Sequence, residues 1–218
     1  MNNNFIYTIG HSNASAEFFL RLLQKSGINC VVDVRSVPYS KHTPQFNQNE
    51  LKRFLFNHDI SYVPMGEEFG ARREDLSLYT NGYLDFEKTE RSALFLKGID
   101  RVKQGLKKAM IIAIMCTEKD PLECHRFSLV ARAFRKHGMD VRHILHDENV
   151  VSHQELEKKL VMLYFPEKFA DVKQIILDLG QEDSREELGY EQLLHEAYRK
   201  KNAEIGFRYM QKKEAVSY

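Results

Sequence analysis

The feature that most constrains the fold is an unbroken run of seven apolar residues at positions 109–115. The run has the length of a β-strand, and it has no polar face that could point to solvent. Strands that are buried on both faces are typical of parallel sheets with helices on each side. We therefore predict that residues 109–115 form a buried, parallel strand.

A helix start signal follows this strand. Asp120 can act as the N-cap, Pro121 suits the first helical position, and Glu123 has the spacing of a capping box. We predict a helix that begins at Pro121 and ends at Gly138. Cys124 then lies in the first turns of that helix, where the positive end of the helix dipole favours thiolates and anions.

Strand and helix patterns alternate through the first two-thirds of the chain. They predict about five strands and one long helix at residues 83–108. Such alternation is typical of α/β proteins, so we predict a three-layer sandwich with an open, mostly parallel sheet. The other four predicted strands are residues 5–9, 30–37, 60–65 and 141–145.

The pattern becomes helical in the last third of the chain. Ser152 and Glu155 form another capping box, and a further helix is predicted at residues 169–179. We divide the chain into an α/β domain at residues 1–148, which carries the site, and a helical C-terminal extension at residues 149–218. The last helix has an apolar stripe that packs on the α/β domain or on a second subunit, so a homodimer through the C-terminal helices is one expectation.

Composition argues against several classes of protein. The formal net charge of the 218 residues is +1, so the overall charge does not favour nucleic acid as a partner. No apolar segment approaches the roughly 20 residues that span a bilayer, and the N-terminus lacks a secretory pattern. We therefore expect a cytoplasmic protein that is not embedded in a membrane. The three cysteines do not form a disulfide framework, and in a reducing compartment at least two remain available for chemistry.

Polar residues gather where four of the predicted strands end. In open parallel sheets, ligands bind beyond the carboxyl ends of the strands, where the loops converge. We therefore expect one pocket there for a small anionic molecule. The expected catalytic residues are His11, Cys116, Glu118, Cys124 and His125. The expected substrate- or anion-binding residues are Ser12, Arg35, Ser40, Arg72 and Arg126.

The role of the two nearby thiols is open from sequence alone. A thiolate beside a guanidinium has a lowered pKa and can act as a nucleophile, with a histidine as acid or base. Cys124 also has the helical spacing of a core residue, together with Phe127, Ala131 and Phe134. A zinc site that uses Cys116, Cys124 and either His11 or His125 is a third choice, because thiolate and imidazole suit that metal. The seven residues between the two cysteines are not a zinc-knuckle spacing, so we predict no metal ligands.

These motifs together resemble one family. Residues 8–12 (TIGHS), 33–35 (DVR), 116–118 (CTE) and 124–126 (CHR) are similar to the motifs of the family catalogued as domain of unknown function 488. The resemblance extends over essentially the whole chain. It implies a prokaryotic protein with a three-layer α/β fold whose motif residues group on one side, and it implies no particular reaction.

Two functions agree with this pattern. We expect an enzyme that acts on a small anionic or nucleotide-like substrate at the carboxyl edge of the sheet, using cysteine, histidine and arginine groups. The alternative is a non-catalytic module that binds an anion, a nucleotide or a metal in the same pocket and offers a helical surface to a partner. The cofactor is unknown, because the chain has neither a Walker-type loop nor a dinucleotide-binding glycine triplet.

Overall fold

The fold is built on one six-stranded sheet, seen in a computed structural model that describes residues 5–169 and 184–209. Its strands are β1 (Phe5–Gly10), β2 (Cys30–Asp33), β3 (Ser61–Pro64), β6 (Ile112–Cys116), β7 (Asp140–Ile144) and β8 (Val150–Ser152). A separate hairpin pairs β4 (Tyr79–Thr80) with β5 (Tyr83–Leu84). The order in the main sheet is β3-β2-β6-β1-β7-β8, and β8 is the antiparallel strand. The remaining neighbours are parallel, so β1, β2, β3 and β6 end on one edge.

The predicted α/β class is confirmed. All five predicted strands are present, and β8 adds a sixth strand at one edge of the sheet. β2 ends at Asp33 rather than at residue 37, because the Asp33 carboxylate accepts a hydrogen bond from the backbone N–H of Arg35, at 3.0 Å, and turns the chain.

Helices cover both faces of the sheet. They are α1 (Ala16–Lys25), α2 (Gln48–Phe56), α3 (Gly66–Phe69), α4 (Phe86–Glu90), α5 (Ala93–Lys107), α6 (Arg132–Lys136), α7 (His153–Tyr164) and α8 (Ser184–Ile205). One core layer joins α1 and α2 to the sheet through residues such as Phe19 and Leu51. The other joins α3, α5 and α6 to the opposite face through residues such as Phe69 and Phe134. This three-layer arrangement is the one predicted.

The long helix predicted at residues 83–108 is wrong, because two caps interrupt it. Residues 83–84 belong to the β4–β5 hairpin. The Asp85 carboxylate then caps α4, and the Ser92 hydroxyl caps α5 by accepting a hydrogen bond from the N–H of Phe95. The sequence marks both breaks: Asp85 and Ser92 are residue types typical of N-caps, and residues 87–92 are all polar. The prediction of one helix gave more weight to the apolar stripe that begins at Phe95.

The C-terminal part packs on the α/β body. The predicted capping box of Ser152 and Glu155 begins α7, and α7 and α8 enclose a third core cluster that includes Phe127 and Tyr198. The helix predicted at residues 169–179 lies almost wholly outside the described residues, and the division of the chain after residue 148 stays a prediction. None of the helices in the described ranges combines the length and apolar character needed to span a bilayer.

A chain of buried hydrogen bonds ties this part to the central strand β1. Thr8 Oγ1 lies 2.7 Å from His143 Nδ1, and His143 Nε2 lies 3.0 Å from His153 Nδ1. His153 Nε2 lies 2.8 Å from the hydroxyl of Tyr198, which donates to Glu157 Oε1 at 2.9 Å. Each side chain in this series has a hydrogen-bond partner when both histidines are neutral and every hydrogen bond is donated in the direction from Thr8 to Glu157. Burial also lowers the pKa of both histidines, that of His143 well below its usual value.

We expect acid to destabilise the fold through these two histidines. Their folded-state pKa values lie below the unfolded value, so the unfolded chain binds more protons once the pH falls below about 6.5. The stabilisation is therefore present above about pH 6.5 and is lost as the pH falls. The loss approaches about 1.4 kcal/mol per pH unit for His143, and His153 adds to it in the same direction. Urea unfolding between pH 7.5 and pH 5 would measure this slope.

The matched variants for this measurement are His143→Gln and His58→Gln. His143 is fully buried, whereas His58 is exposed. Replacing His143 should make the slope shallower by about 1.4 kcal/mol per pH unit, and replacing His58 should not change it. Equal slopes in all three proteins would contradict a neutral, buried His143.

Candidate functional site

The loop that follows β6 gives the site its shape. A short 3-10 turn at Pro121–Glu123 begins as the sequence predicts, with Asp120 as its cap. Cys124 then has an extended backbone, with φ −132° and ψ 140°, and helical structure resumes at Arg126–Ala131, which has π-helical hydrogen bonds. The continuous helix predicted from Pro121 is therefore wrong at its start, because the extended Cys124 separates the turn from the helix.

The thiol of Cys124 nevertheless lies at a helix start. The backbone N–H of Arg126, in the first turn after the break, donates to Cys124 Sγ at 3.4 Å. The predicted electrostatic setting of this thiol is therefore present, although the helix begins later than the capping signals indicate. Cys124 is also a core residue with 1% of its surface exposed, as its helical spacing in the sequence indicates, and its chemical role stays a prediction.

Two thiols, a carboxylate and an imidazole form one compact cluster. Glu118 Oε2 lies 3.2 Å from Cys116 Sγ and 2.8 Å from Cys124 Sγ. His125 Nδ1 lies 3.7 Å from Cys116 Sγ and 3.9 Å from Cys124 Sγ. All four side chains come from ten consecutive residues, which the turn at Pro121–Glu123 folds back on itself. We refer to Cys116, Glu118, Cys124 and His125 as the thiol cluster.

The protonation states within the thiol cluster are coupled. Burial raises the pKa of Cys124, but the hydrogen bond from Cys116 and the charges of Arg126 and His125 outweigh it, so the pKa is lowered well below the usual value. The hydrogen bond with Cys124 raises the pKa of Cys116, and burial adds to this. The pKa of His125 is raised, because the neighbouring Cys124 and Glu118 outweigh the effect of burial. Of the two thiols, Cys124 therefore has the lower pKa and Cys116 the higher one.

Asp33, Arg35 and His11 form a second network beside the thiol cluster. Arg35 donates two N–H groups to the Asp33 carboxylate, with the Nη2 contact at 2.6 Å, and also donates to the Phe46 carbonyl at 2.8 Å. Its Nη1 lies 3.1 Å from His11 Nε2, and His11 Nδ1 lies 2.8 Å from the carbonyl of Ser12. Burial, together with the Arg35 charge, lowers the pKa of His11 to about 4. His11 is therefore a neutral group whose two nitrogens are already engaged.

Arg126 fastens the loop that carries Glu118. It is completely buried, and it donates to the carbonyls of Glu118 at 2.6 Å and Lys119 at 3.1 Å. The loop passes so close to β1 that a Cβ at Gly10 would collide with the Glu118 carbonyl. Glycine at position 10 therefore provides the space, and Arg126 positions Glu118 within it.

Cys116 opens onto a cavity of about 220 Å³ at the carboxyl edge of the sheet. Of the three thiols, Cys116 alone lines this cavity, while Cys124 lies behind it. Arg35 and Arg72 also line a larger groove of about 1020 Å³ next to the cavity. The cavity and the groove therefore adjoin each other at these residues. The cavity is lined by Arg35, Ser36, Val37, Ala71, Arg72, Cys116, Thr117, Glu118, Glu123, His125, Ile205 and Phe207.

The C-terminal part supplies one wall of the cavity. Ile205 ends α8, and Phe207 follows it and lies under the guanidinium of Arg72, which is 5.0 Å from the ring centroid. Asn202 holds this segment in place by donating to the Leu84 carbonyl at 2.8 Å. Sequence reasoning did not identify Ile205 or Phe207 as site residues, because their apolar character indicated only a packing surface.

The structure distributes the predicted site residues over three positions. Cys116, Glu118, His125, Arg35 and Arg72 line the cavity. Cys124, His11 and Arg126 lie directly behind it, in contact with lining residues or with the loop that carries them. Ser12 and Ser40 do not line it: Ser12 donates its N–H to the Thr117 carbonyl, and the Ser40 hydroxyl accepts from the His42 N–H.

The fold and the thiol cluster define a three-layer α/β protein with a thiol-lined cavity at its carboxyl edge. The chain belongs to the family described as domain of unknown function DUF488, whose model matches residues 15–133, more than half of the chain. This range contains the thiol cluster but neither the Gly10-His11-Ser12 turn nor Phe207, so it is shorter than the resemblance seen in the sequence. No curated protein and no solved structure matches the chain.

We expect Gly10→Ala to displace the loop that carries Glu118. The added methyl group collides with backbone rather than with a flexible side chain, so unfolding free energy should fall by about 3 kcal/mol. Gly189→Ala is the matched control, because Gly189 lies in α8 with open space at its Cβ position, and alanine there should stabilise by up to about 1 kcal/mol. Denaturant unfolding measures both changes, and equal stabilities would refute the close approach at Gly10.

We also expect Asp33→Asn to be strongly destabilising. Arg35 has 5% of its side chain exposed, so loss of the Asp33 charge leaves a buried guanidinium without its counterion. The cost should be about 3–5 kcal/mol of unfolding free energy. Asp140→Asn, which breaks the exposed pair with Arg142, should cost less than about 1 kcal/mol. Thermal or denaturant unfolding at pH 7 tests the difference, and similar small losses would contradict the structural role of Asp33.

Proposed function

We propose that this protein is an enzyme that acts on a small anionic or nucleotide-like compound in the cavity beside the thiol cluster. The observation that carries this proposal is the position of Cys116, whose side chain contacts Glu118 and lies near His125 while lining a cavity shared with two arginines. Cavities at the carboxyl edge of parallel sheets are the usual location of ligand sites in this fold class.

The charge around the cavity supports an anionic ligand. The guanidinium of Arg72 stacks on Phe207 and, among the described residues, makes no ion pair, so its charge is available to a ligand. The charge of Arg35 is paired with the Asp33 carboxylate. Four of the five N–H groups of Arg35 have protein partners, so one Nη1–H remains for a hydrogen bond to a ligand. Glu123, the acidic residue at the rim, is paired with Lys201 at 3.0 Å. The free positive charge of the cavity therefore lies at Arg72.

The size of the site supports a ligand larger than a simple ion. The cavity of about 220 Å³ accepts a reacting group, and the adjoining groove of about 1020 Å³ accepts the remainder of the molecule. Pockets for small molecules and cofactors generally have volumes of about 300–1,000 Å³. A nucleotide-sized compound with its anionic group at Arg72 suits these dimensions.

Within the thiol cluster, each group has a role that follows from its contacts. Cys116 contacts the substrate because it is the thiol that lines the cavity. Glu118 is the proton-transfer group, because it lies beside Cys116 and burial raises its pKa from the usual range. His125 lies next to both thiols and sets their environment. Cys124 acts through Cys116 and Glu118 rather than on the substrate, because it is buried behind them.

Consumption of anionic metabolites tests the proposal. The full chain is incubated with a mixture of phosphorylated, sulfated and carboxylated metabolites, and mass spectrometry follows which compounds disappear and which products form. Cys116→Ala should lower the rate of consumption by about 100-fold or more, because it removes the group that faces the substrate. Cys30→Ala is the matched control: Cys30 is a buried thiol of β2 outside the cavity, so its loss should leave the rate nearly unchanged.

A second pair of variants tests whether the substrate carries an anionic group that binds Arg72. Arg72→Ala should lower kcat/KM by roughly 10-fold or more, mainly through KM, because hydrogen bonds to charged groups contribute about 1.5–3 kcal/mol. Arg53→Ala, at an exposed position paired with Glu50, should have no effect. A compound that raises the melting temperature but is never consumed would contradict the enzyme and support the non-catalytic binding module instead.

A further inference from the structure

We propose that Cys116, Cys124 and His125 bind one Zn²⁺ ion, with the fourth coordination position directed toward the cavity beside Glu118. This inference deepens the proposed function, since it identifies the reactive group at the same cavity and rests on that function for its catalytic meaning. Its metal-binding part is tested without any activity measurement.

The ligand atoms already have nearly the spacing of a zinc site. The two Sγ atoms and His125 Nδ1 all lie within 4.8 Å of one another, and Nδ1 is 3.7 Å and 3.9 Å from the two sulfurs. In a tetrahedral site with Zn–S near 2.3 Å and Zn–N near 2.0–2.1 Å, sulfur and nitrogen are about 3.5 Å apart. The two nitrogen–sulfur distances therefore need to shorten by only a few tenths of an ångström. The two sulfurs, which lie within 4.8 Å of each other, need to approach to about 3.8 Å, which rotation of the two cysteine side chains can provide.

The chemistry of the three ligands selects zinc over harder cations. Thiolate and imidazole ligands favour Zn²⁺, whereas Mg²⁺ and Ca²⁺ prefer oxygen. Two thiolates also balance the charge of the ion, which removes the cost of placing a dication among buried groups. The N–H of Arg126 on Cys124 Sγ is the kind of outer hydrogen bond that orients a metal-bound thiolate.

Two cysteines and one histidine leave a coordination position for water. Ligand sets of three protein groups are typical of catalytic zinc sites, whereas structural sites use four. Cys116 and His125 line the cavity together with Glu118, so the remaining position is reached from the cavity. Glu118 Oε2 lies within 3.2 Å of both sulfurs, close enough to hydrogen-bond a water bound there.

The reaction class that follows is hydrolysis. A zinc-bound water has a pKa near about 7, and Glu118 accepts the proton that this water loses. The water oxygen forms a bond to the electrophilic atom of the substrate, the bond from that atom to the leaving group breaks, and Glu118 returns the proton to the leaving group. No oxidant, reductant or second substrate is required besides water.

Metal content and cobalt spectroscopy test the site directly. The full chain is loaded with Zn²⁺ or Co²⁺, desalted, and analysed by elemental mass spectrometry and absorption. We expect one equivalent per chain, and we expect the Co²⁺ form to show thiolate-to-metal charge transfer and the strong visible bands of tetrahedral cobalt. Wild-type protein that retains well below one equivalent, or a cobalt spectrum without thiolate bands, would overturn the inference.

Substitutions then identify the ligands and separate them from Glu118. Cys116→Ser, Cys124→Ser and His125→Ala should each lose the bound equivalent, whereas Cys30→Ser and Glu118→Gln should retain it. Glu118→Gln should lose consumption of substrate while keeping the cobalt spectrum. Circular dichroism confirms folding of each variant, and the wild-type cobalt spectrum decides the question if a variant fails to fold. Equal metal content in Cys116→Ser and wild type would also overturn the site.

The outcomes distinguish this inference from the proposed function. If the protein binds no metal but Cys116→Ala abolishes consumption, the zinc site is wrong and a thiol-based enzyme remains. If one equivalent of zinc binds through the three ligands but no metabolite is consumed, the metal site stands and the enzyme proposal fails.

Discussion

The site depends on the buried guanidinium of Arg126. Arg126 donates to two consecutive carbonyls, those of Glu118 and Lys119, and so fixes a loop that has no regular secondary structure of its own. The same residue places its backbone N–H on Cys124 Sγ. One side chain and one amide of a single residue therefore hold both ends of the thiol cluster. This interaction requires an approach between loop and strand that glycine at position 10 permits.

The cavity draws its walls from four parts of the chain that are far apart in sequence. The loop after β2 contributes Arg35, the end of β6 and the loop after it contribute Cys116 and Glu118, the segment after α3 contributes Arg72, and the segment after α8 contributes Phe207. Parallel strand order explains why the first two meet, because adjacent strands β2 and β6 end at the same edge. Phe207 is brought to the cavity by the packing of α7 and α8, which the hydrogen-bond chain from Thr8 to Glu157 links to the sheet.

Local patterns in the sequence predicted the sheet well and the loops poorly. The apolar run at 109–115 and the alternation of strands and helices identified the parallel sheet, because burial on both faces is visible residue by residue. The break at Cys124 was missed because the apolar spacing continues through it to Phe127. The breaks at Asp85 and Ser92 were missed although the sequence marks them, since both are N-cap residue types and residues 87–92 are all polar. The extended backbone of Cys124 is a property of the folded loop and of its contacts with Glu118 and Arg126, which lie outside any helical pattern.

The sequence likewise predicted which residues lie at the cavity better than it predicted their individual contacts. The rule that ligands bind beyond the carboxyl ends of parallel strands depends only on topology. It correctly predicted that five residues would lie at one cavity, namely Arg35, Arg72, Cys116, Glu118 and His125. It could not tell that both ring nitrogens of His11 and both terminal nitrogens of Arg126 contact protein groups, because such contacts depend on side-chain geometry. Phe207 was missed for a related reason: an apolar residue at the end of the last helix carries no chemical signature.

The cavity wall at Phe207 is encoded separately from the thiol cluster. The thiol cluster lies in one short stretch within the family match, whereas Phe207 lies beyond that match and contacts Arg72 at the cavity. Substitutions after residue 204 can therefore reshape the opening and reorient Arg72 while every group of the thiol cluster keeps its contacts. Under the proposed function, related chains with different C-terminal segments would share one chemistry and differ in the compounds they admit.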